Sequence, residues 1–162
     1  MPLRRAALAL LAACALGGGA AAAEDGARSG SGALALAARV GIEDAALPAS
    51  DRRTLAALLD GDAQAAASAP PITVAASSVR CRSSDVDLAL HACEIVAAGG
   101  KRRLTGRGAQ ALDATLLENG VSPDGAAGSV YAAISDLSCR VDPKAVAARD
   151  GSGATCRFKP DR

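Results

Sequence analysis

The residues best suited to chemistry are a basic run and a lone histidine. Lys101, Arg102, Arg103 and Arg107 stand beside the opening of a well-marked helix. Cations next to a helix N-terminus suit an acidic or phosphate-bearing partner, because the free backbone N–H groups there add positive potential. Such charges also protect an exposed strand edge from unwanted pairing. The cluster therefore reads either as an anionic-partner contact or as a solvated edge. His91 is the sole histidine, so histidine-based catalysis would rest on it, and no G-x-S-x-G nucleophile motif accompanies it. The paired acids Asp60/Asp62 and Asp85/Asp87 sit in turn-like surroundings, where carboxylates commonly cap the local backbone.

Gly106-Arg107-Gly108-Ala109-Gln110-Ala111 matches G-x-G-x-x-A, the dinucleotide-binding pattern. Its context argues against a cofactor. The strand before it belongs to a hairpin rather than to a parallel βαβ unit. The nearest acid at a strand end, Asp136, lies beyond the expected spacing of about 20 residues. The glycines read better as a tight corner from strand to helix. No catalytic, cofactor-binding or metal-binding residue is expected.

Cys81, Cys93, Cys139 and Cys156 fall in phase with the apolar residues of their segments. No C-x-x-C pair is present, so zinc is disfavoured. In an exported chain these residues read as two disulfides. Four cysteines allow three connectivities, and proximity along the chain favours Cys81–Cys93 with Cys139–Cys156.

The elements that would position these groups follow from periodicity. Residues 72–82 are β-rich, with Ile72, Val74 and Ala76 on one parity and Val79 and Cys81 on the other. The phase change at Ser77-Ser78 implies a bulge or a break. Cys93, Ile95 and Ala97 share a face, and Ala98-Gly99-Gly100-Lys101 reads as a hairpin turn leading to Leu104. Leu137, Cys139 and Val141 alternate with polar residues, as do Ala154, Cys156 and Phe158, so each strand has one buried and one wet face.

The helix over 104–121 carries Ala109, Leu112, Leu116 and Leu117, with Thr105 as cap and Gly120 as stop. Ser122-Pro123-Asp124 signals a short helix at 123–133. There Val130, Ile134 and Leu137 have helical spacing, while Val130, Ala132 and Ile134 also alternate. Residues 143–153 read as a loop ending in an Asp150-Gly151-Ser152-Gly153 turn. Upstream, Ala33 to Val40 is a weak helix candidate. Ser50 caps a helix over 51–60 with Leu55, Leu58 and Leu59 on one face. Residues 62–71 read as a linker.

The first residues read as an address. Arg4 and Arg5 precede the uncharged apolar run Ala6–Leu16, and Ala21-Ala22-Ala23 forms a small-residue cleavage site. The run is too short to span a membrane. Leu11-Ala12-Ala13-Cys14 resembles a lipidation box, which makes a lipid anchor at Cys14 the alternative to cleavage at Ala23. Both routes leave the same four cysteines.

The formal net charge of +1 over 162 residues points to neither nucleic acid nor an anionic membrane surface. Half of the residues are hydrophobic, but many are alanine, and the chain has no Trp, one Phe and one Tyr. A thin core of this kind gains from covalent bracing.

The expected organisation is a signal peptide at 1–23, then a flexible lead, short helix and linker at 24–71, then a disulfide-stabilised domain at 72–160. The expected fold class is α+β: an antiparallel sheet of about four strands, with one or two helices packed on one face. The expected function is a periplasmic or secreted, non-catalytic protein: a binding or inhibitor-like module, or an envelope-associated structural protein. Its partner would be another exported protein or an envelope component. The alternative is an exported hydrolase using His91 or surface carboxylates, and the alternative location is an envelope lipoprotein.

Overall fold

The computed structural model describes residues 26–83, 91–126, 129–148 and 153–161. The expected signal segment with Cys14, the acids Asp85 and Asp87, and most of the turn at 150–153 lie outside the described residues. The fold is α+β, with one antiparallel sheet. In chain order the elements are β1 (Arg28–Ser29), α1 (Ser31–Glu43), α2 (Ala49–Leu59), α3 (Ala63–Ala66), β2 (Ile72–Ser83), β3 (Ala92–Ala97) and β4 (Gly100–Thr105), followed by α4 (Gly106–Glu118), β5 (Asp124–Ala126), β6 (Ser129–Val141), α5 (Pro143–Ala147) and β7 (Ala154–Pro160). The sheet runs β1-β7-β6-β2-β3-β4, and β5 pairs the opening residues of β6.

The architecture is larger than four strands and one or two helices, for reasons local to three segments. First, residues 31–66 add three helices to the core of the sheet, and the short helix expected over 51–60 is α2. Ala33, Leu36, Ala37 and Val40 form a helical stripe that is fully buried in the same core as the sheet. Leu55, Leu58 and Ala66 join that core from α2 and α3. Second, the helix expected at 123–133 is replaced by β5 and the start of β6. Gly125 and Gly128 weaken a helix, and residues 130–141 of β6 pair with β2 over its whole length. Third, the loop expected at 143–153 opens with α5, whose first turn is capped by Asp142 accepting from Lys144 N and Ala145 N. Two expected caps also differ. Thr105 occupies the N-cap of α4 without a side-chain cap bond. The helix α2 begins at Ala49, so Ser50 lies inside its first turn and donates to Asp51 instead.

Other expectations hold. The β2 phase change is a bulge between Ala76 and Ser78 in the pairing with β3. It keeps Ile72, Val74, Ala76, Val79 and Cys81 all on the buried face. A matching irregularity in β6, between Ser135 and Ser138, lets Ile134, Leu137 and Cys139 do the same. The helix α4 ends with Val121 N donating to Leu116 O and Gly120 N to Leu117 O. Both expected disulfides form. Cys81–Cys93 joins directly opposed residues of β2 and β3, and Cys139–Cys156 joins directly opposed residues of β6 and β7.

The sheet order reveals an internal repeat. β1-α1-β2-β3 and β4-α4-β6-β7 are two β-α-β-β halves, and exchanging them turns the order β1-β7-β6-β2-β3-β4 into its own reverse. Each half lends its first strand to the other: β1 pairs β7, and β4 pairs β3. The chain carries the match. Gly30-Ser31-Gly32-Ala33-Leu34-Ala35-Leu36 aligns with Gly106-Arg107-Gly108-Ala109-Gln110-Ala111-Leu112, sharing both glycines, two alanines and the leucine. Cys81-Arg82 aligns likewise with Cys139-Arg140. Each helix opens over the disulfide of the opposite half. The Ala33 carbonyl oxygen lies 3.3 Å from Cys156 Sγ, and that of Ala109 lies 3.3 Å from Cys93 Sγ. The apparent dinucleotide motif is thus one of two copies of a strand-to-helix corner.

Candidate functional site

Helices α1 and α4 pack on one face of the sheet. Among the described residues no helix covers the other face, and its side chains alternate outward with the buried row. The two arginines flanking Cys81 therefore both point into solvent. In the register, Arg80 lies between Ala133 and Glu94, and Glu94 lies opposite Arg103. Arg82 lies opposite Tyr131. Cross-strand neighbours on one face are within side-chain reach. Arg80, Arg82, Glu94, Arg103 and Tyr131 frame a depression of about 390 Å³.

The charges in the depression are partly arranged by local partners. The Arg82 guanidinium stacks 4.8 Å from the centre of the Tyr131 ring and also donates to its hydroxyl. This orients the cation over the ring. Lys101 Nζ lies 2.7 Å from Glu94 Oε2, and Arg80 lies 3.6 Å from Asp161. Among the described residues, no carboxylate comes within 4.0 Å of Arg82 or Arg103.

The expected cluster of four basic residues is divided by strand parity. Lys101 and Arg103 sit opposite Val96 and Glu94 and belong to the open face. Arg102 sits opposite Ile95, on the helix side, and reaches Glu43 at the end of α1 at 3.5 Å. Arg107 is exposed on the first turn of α4. The structure replaces this linear run with Arg80, Arg82 and Arg103, drawn from two strands that are not sheet neighbours. The alternation Arg80-Cys81-Arg82 was the available signal for two of them, because a buried cysteine forces both neighbours outward. Tyr131 was hidden by the helical reading of its segment.

His91 belongs to a different place. It shares the parity of Cys93 and faces α4, where its Nε2 lies 3.7 Å from Asp113 Oδ2. Both side chains are largely shielded. Burial raises the Asp113 carboxyl above its ordinary value, and the His91 charge opposes that rise. The equivalent positions in the other half are Ala37 and Ala154, both buried in the core. Of the paired acids, Asp62 accepts from Ala65 N as the cap of α3, and Asp60 closes α2. Among the described residues, no group of three His, Cys, Asp or Glu side chains could hold a metal, and no helix is long and apolar enough to cross a membrane. The chain matches no protein-family model, no curated protein and no solved structure.

Proposed function

We propose that the protein is an exported, non-catalytic binding module that docks a partner on the uncovered face of its sheet. The observation that carries this reading is the Arg80–Arg82–Arg103–Tyr131 group standing on that face. Arginine and tyrosine are the residue types most often found at the energetic centre of protein interfaces. Around them the side chains are small, with Thr73, Ala75, Ser138 and Thr155 exposed between the longer cations. The extent of the face is also suitable. The central strands have 12 and 13 residues, and standard strand dimensions give a face on the order of 700 Å². A stable interface uses about 800 Å² per partner. Two disulfides are compatible with export. The histidine form of the hydrolase alternative draws nothing from the depression, since His91 faces the opposite side of β3; its carboxylate form would rest there on Glu94, which Lys101 engages.

The test is capture from an envelope extract by the oxidised protein, with the bound proteins identified by mass. The wild type is compared with a double variant, Arg82→Glu with Arg140→Glu, and with Arg53→Glu, an exposed change on α2. Proteins held by the wild type and the Arg53 variant but lost by the double variant support the reading. Identical capture by all three, or capture of nothing, overturns it.

A further inference from the structure

We infer that the depression framed by Arg80, Arg82 and Arg103 is a carboxylate site, built to seat an aspartate or glutamate side chain of an acidic partner protein. This rests on the binding-module reading and names the chemistry of its anchor.

The donor set carries the first part of the argument. All three framing cations are arginines, whose planar forks match a carboxylate through paired N–H groups. Arg82 is already oriented by Tyr131, so less side-chain freedom is lost when it binds. Arg82 and Arg103 lack a carboxylate partner among the described residues. The acid within the depression, Glu94, is engaged by Lys101. The chain itself supplies a precedent at the rim, where Asp161 reaches Arg80.

The internal repeat supplies the second part, because one half serves as a control for the other. The positions equivalent to Arg80, Arg103 and Tyr131 are Ser138, Ala27 and Thr73, and Glu94 corresponds to Arg157. Only Arg82 has a like residue, Arg140. Both halves build the same β-α-β-β unit, so the fold does not require Arg80, Arg103 or Tyr131. Their convergence on one depression is a specialisation of one side of the face.

The test titrates the oxidised protein at low ionic strength with a hexaglutamate peptide, a hexaglutamine peptide and inorganic phosphate. Hexaglutamate is expected to bind and hexaglutamine is not. Arg82→Ala and Arg103→Ala are each expected to weaken hexaglutamate about tenfold, as for loss of a charge-assisted hydrogen bond. Arg103→Lys keeps the charge but not the fork and is expected to recover only part of that loss. Arg140→Ala is expected to cost less than Arg103→Ala, and Arg53→Ala to cost nothing. Intact mass and unfolding midpoints confirm that each variant keeps its disulfides and fold. No hexaglutamate binding, phosphate binding alone, or equal losses from Arg140→Ala and Arg103→Ala would each overturn the site. If Arg103→Ala still captures the envelope proteins held by the wild type, the carboxylate site falls and the binding module stands.

Discussion

Gly30 and Gly106 occupy the same corner in the two halves, and both have positive φ, 87° and 60°. Each follows an edge strand and turns the chain into a helix that opens over the opposite half's disulfide. Gly30 also has ψ −151°, a region essentially reserved for glycine. A Cβ at Gly106 would meet nothing within 4 Å, so its cost is conformational alone. Gly106→Ala is expected to lower unfolding stability by roughly 1–2 kcal/mol. Gly30→Ala is expected to cost more, towards the upper part of a range of about 1–3 kcal/mol. Urea denaturation of the two variants checks the order, and the reverse order would contradict these backbone conformations.

The two disulfides brace equivalent strand pairs, with sequence separations of 12 and 17 residues. Loops of this size predict about 3 kcal/mol of stabilisation for each bridge. Replacing Cys81 and Cys93 by Ala, or Cys139 and Cys156 by Ala, is expected to cause comparable losses. The bridges lie in separate strand pairs, so removing both should give losses that add. Denaturation under non-reducing conditions measures this. A large loss from one pair and none from the other would mean that the halves do not share the load.

Much of the sheet was legible because β periodicity is strict. Cys139 and Cys156, with their apolar neighbours, lie on the buried face where alternation placed them. Even the bulge at Ser77 was announced by a shift of parity. Segments whose local signals competed were harder to read. Ser122-Pro123-Asp124 resembles a helix start, and Val130, Ile134 and Leu137 have helical spacing only because the β6 irregularity shifts the phase between Ile134 and Leu137. The helix α1 was obscured by its alanine and glycine content, which carries little hydrophobic signal although it lets the helix pack closely. The repeat was hidden because α2 and α3 separate α1 from β2 in one half, whereas β5 occupies the interval between α4 and β6 in the other. The site was legible as a charge type but not as a place. Neighbours in the run Lys101–Arg103 point to opposite faces, and the arginines that do converge come from β2 and β4.

Asp44 ties the end of α1 to the hairpin of β3 and β4. It is buried, and its Oδ1 accepts from both Ala46 N and Gly99 N at 2.9 Å. Removing the acceptor takes the partner from two N–H groups in partly buried bonds. Asp44→Ala is therefore expected to cost about 1–3 kcal/mol, and Asp44→Asn less, because its amide oxygen can still accept. Hydrogen exchange at Gly99 should accelerate in the Ala variant. Unchanged protection there would show that the turn is held by other contacts.

Asp113 is expected to make stability fall with rising pH in the acid range. Its carboxyl binds a proton more tightly in the folded protein than at the ordinary value of 3.8. Between that value and the raised folded one, the native state carries more bound protons than the unfolded chain, so unfolding free energy decreases as pH rises. Below this window the group is protonated in both states and the penalty is absent; above it the penalty is fully present. Asp113→Asn removes the titration, so its stability relative to wild type is expected to improve as pH is raised through the window. His91→Ala removes the charge that opposes the shift, and is expected to steepen the wild-type decline. Urea midpoints from about pH 3.5 to about pH 6 follow both effects. A difference between wild type and Asp113→Asn that stays flat with pH would show that burial does not hold the proton on Asp113, and a difference that runs in the opposite direction would show that the His91 contact dominates.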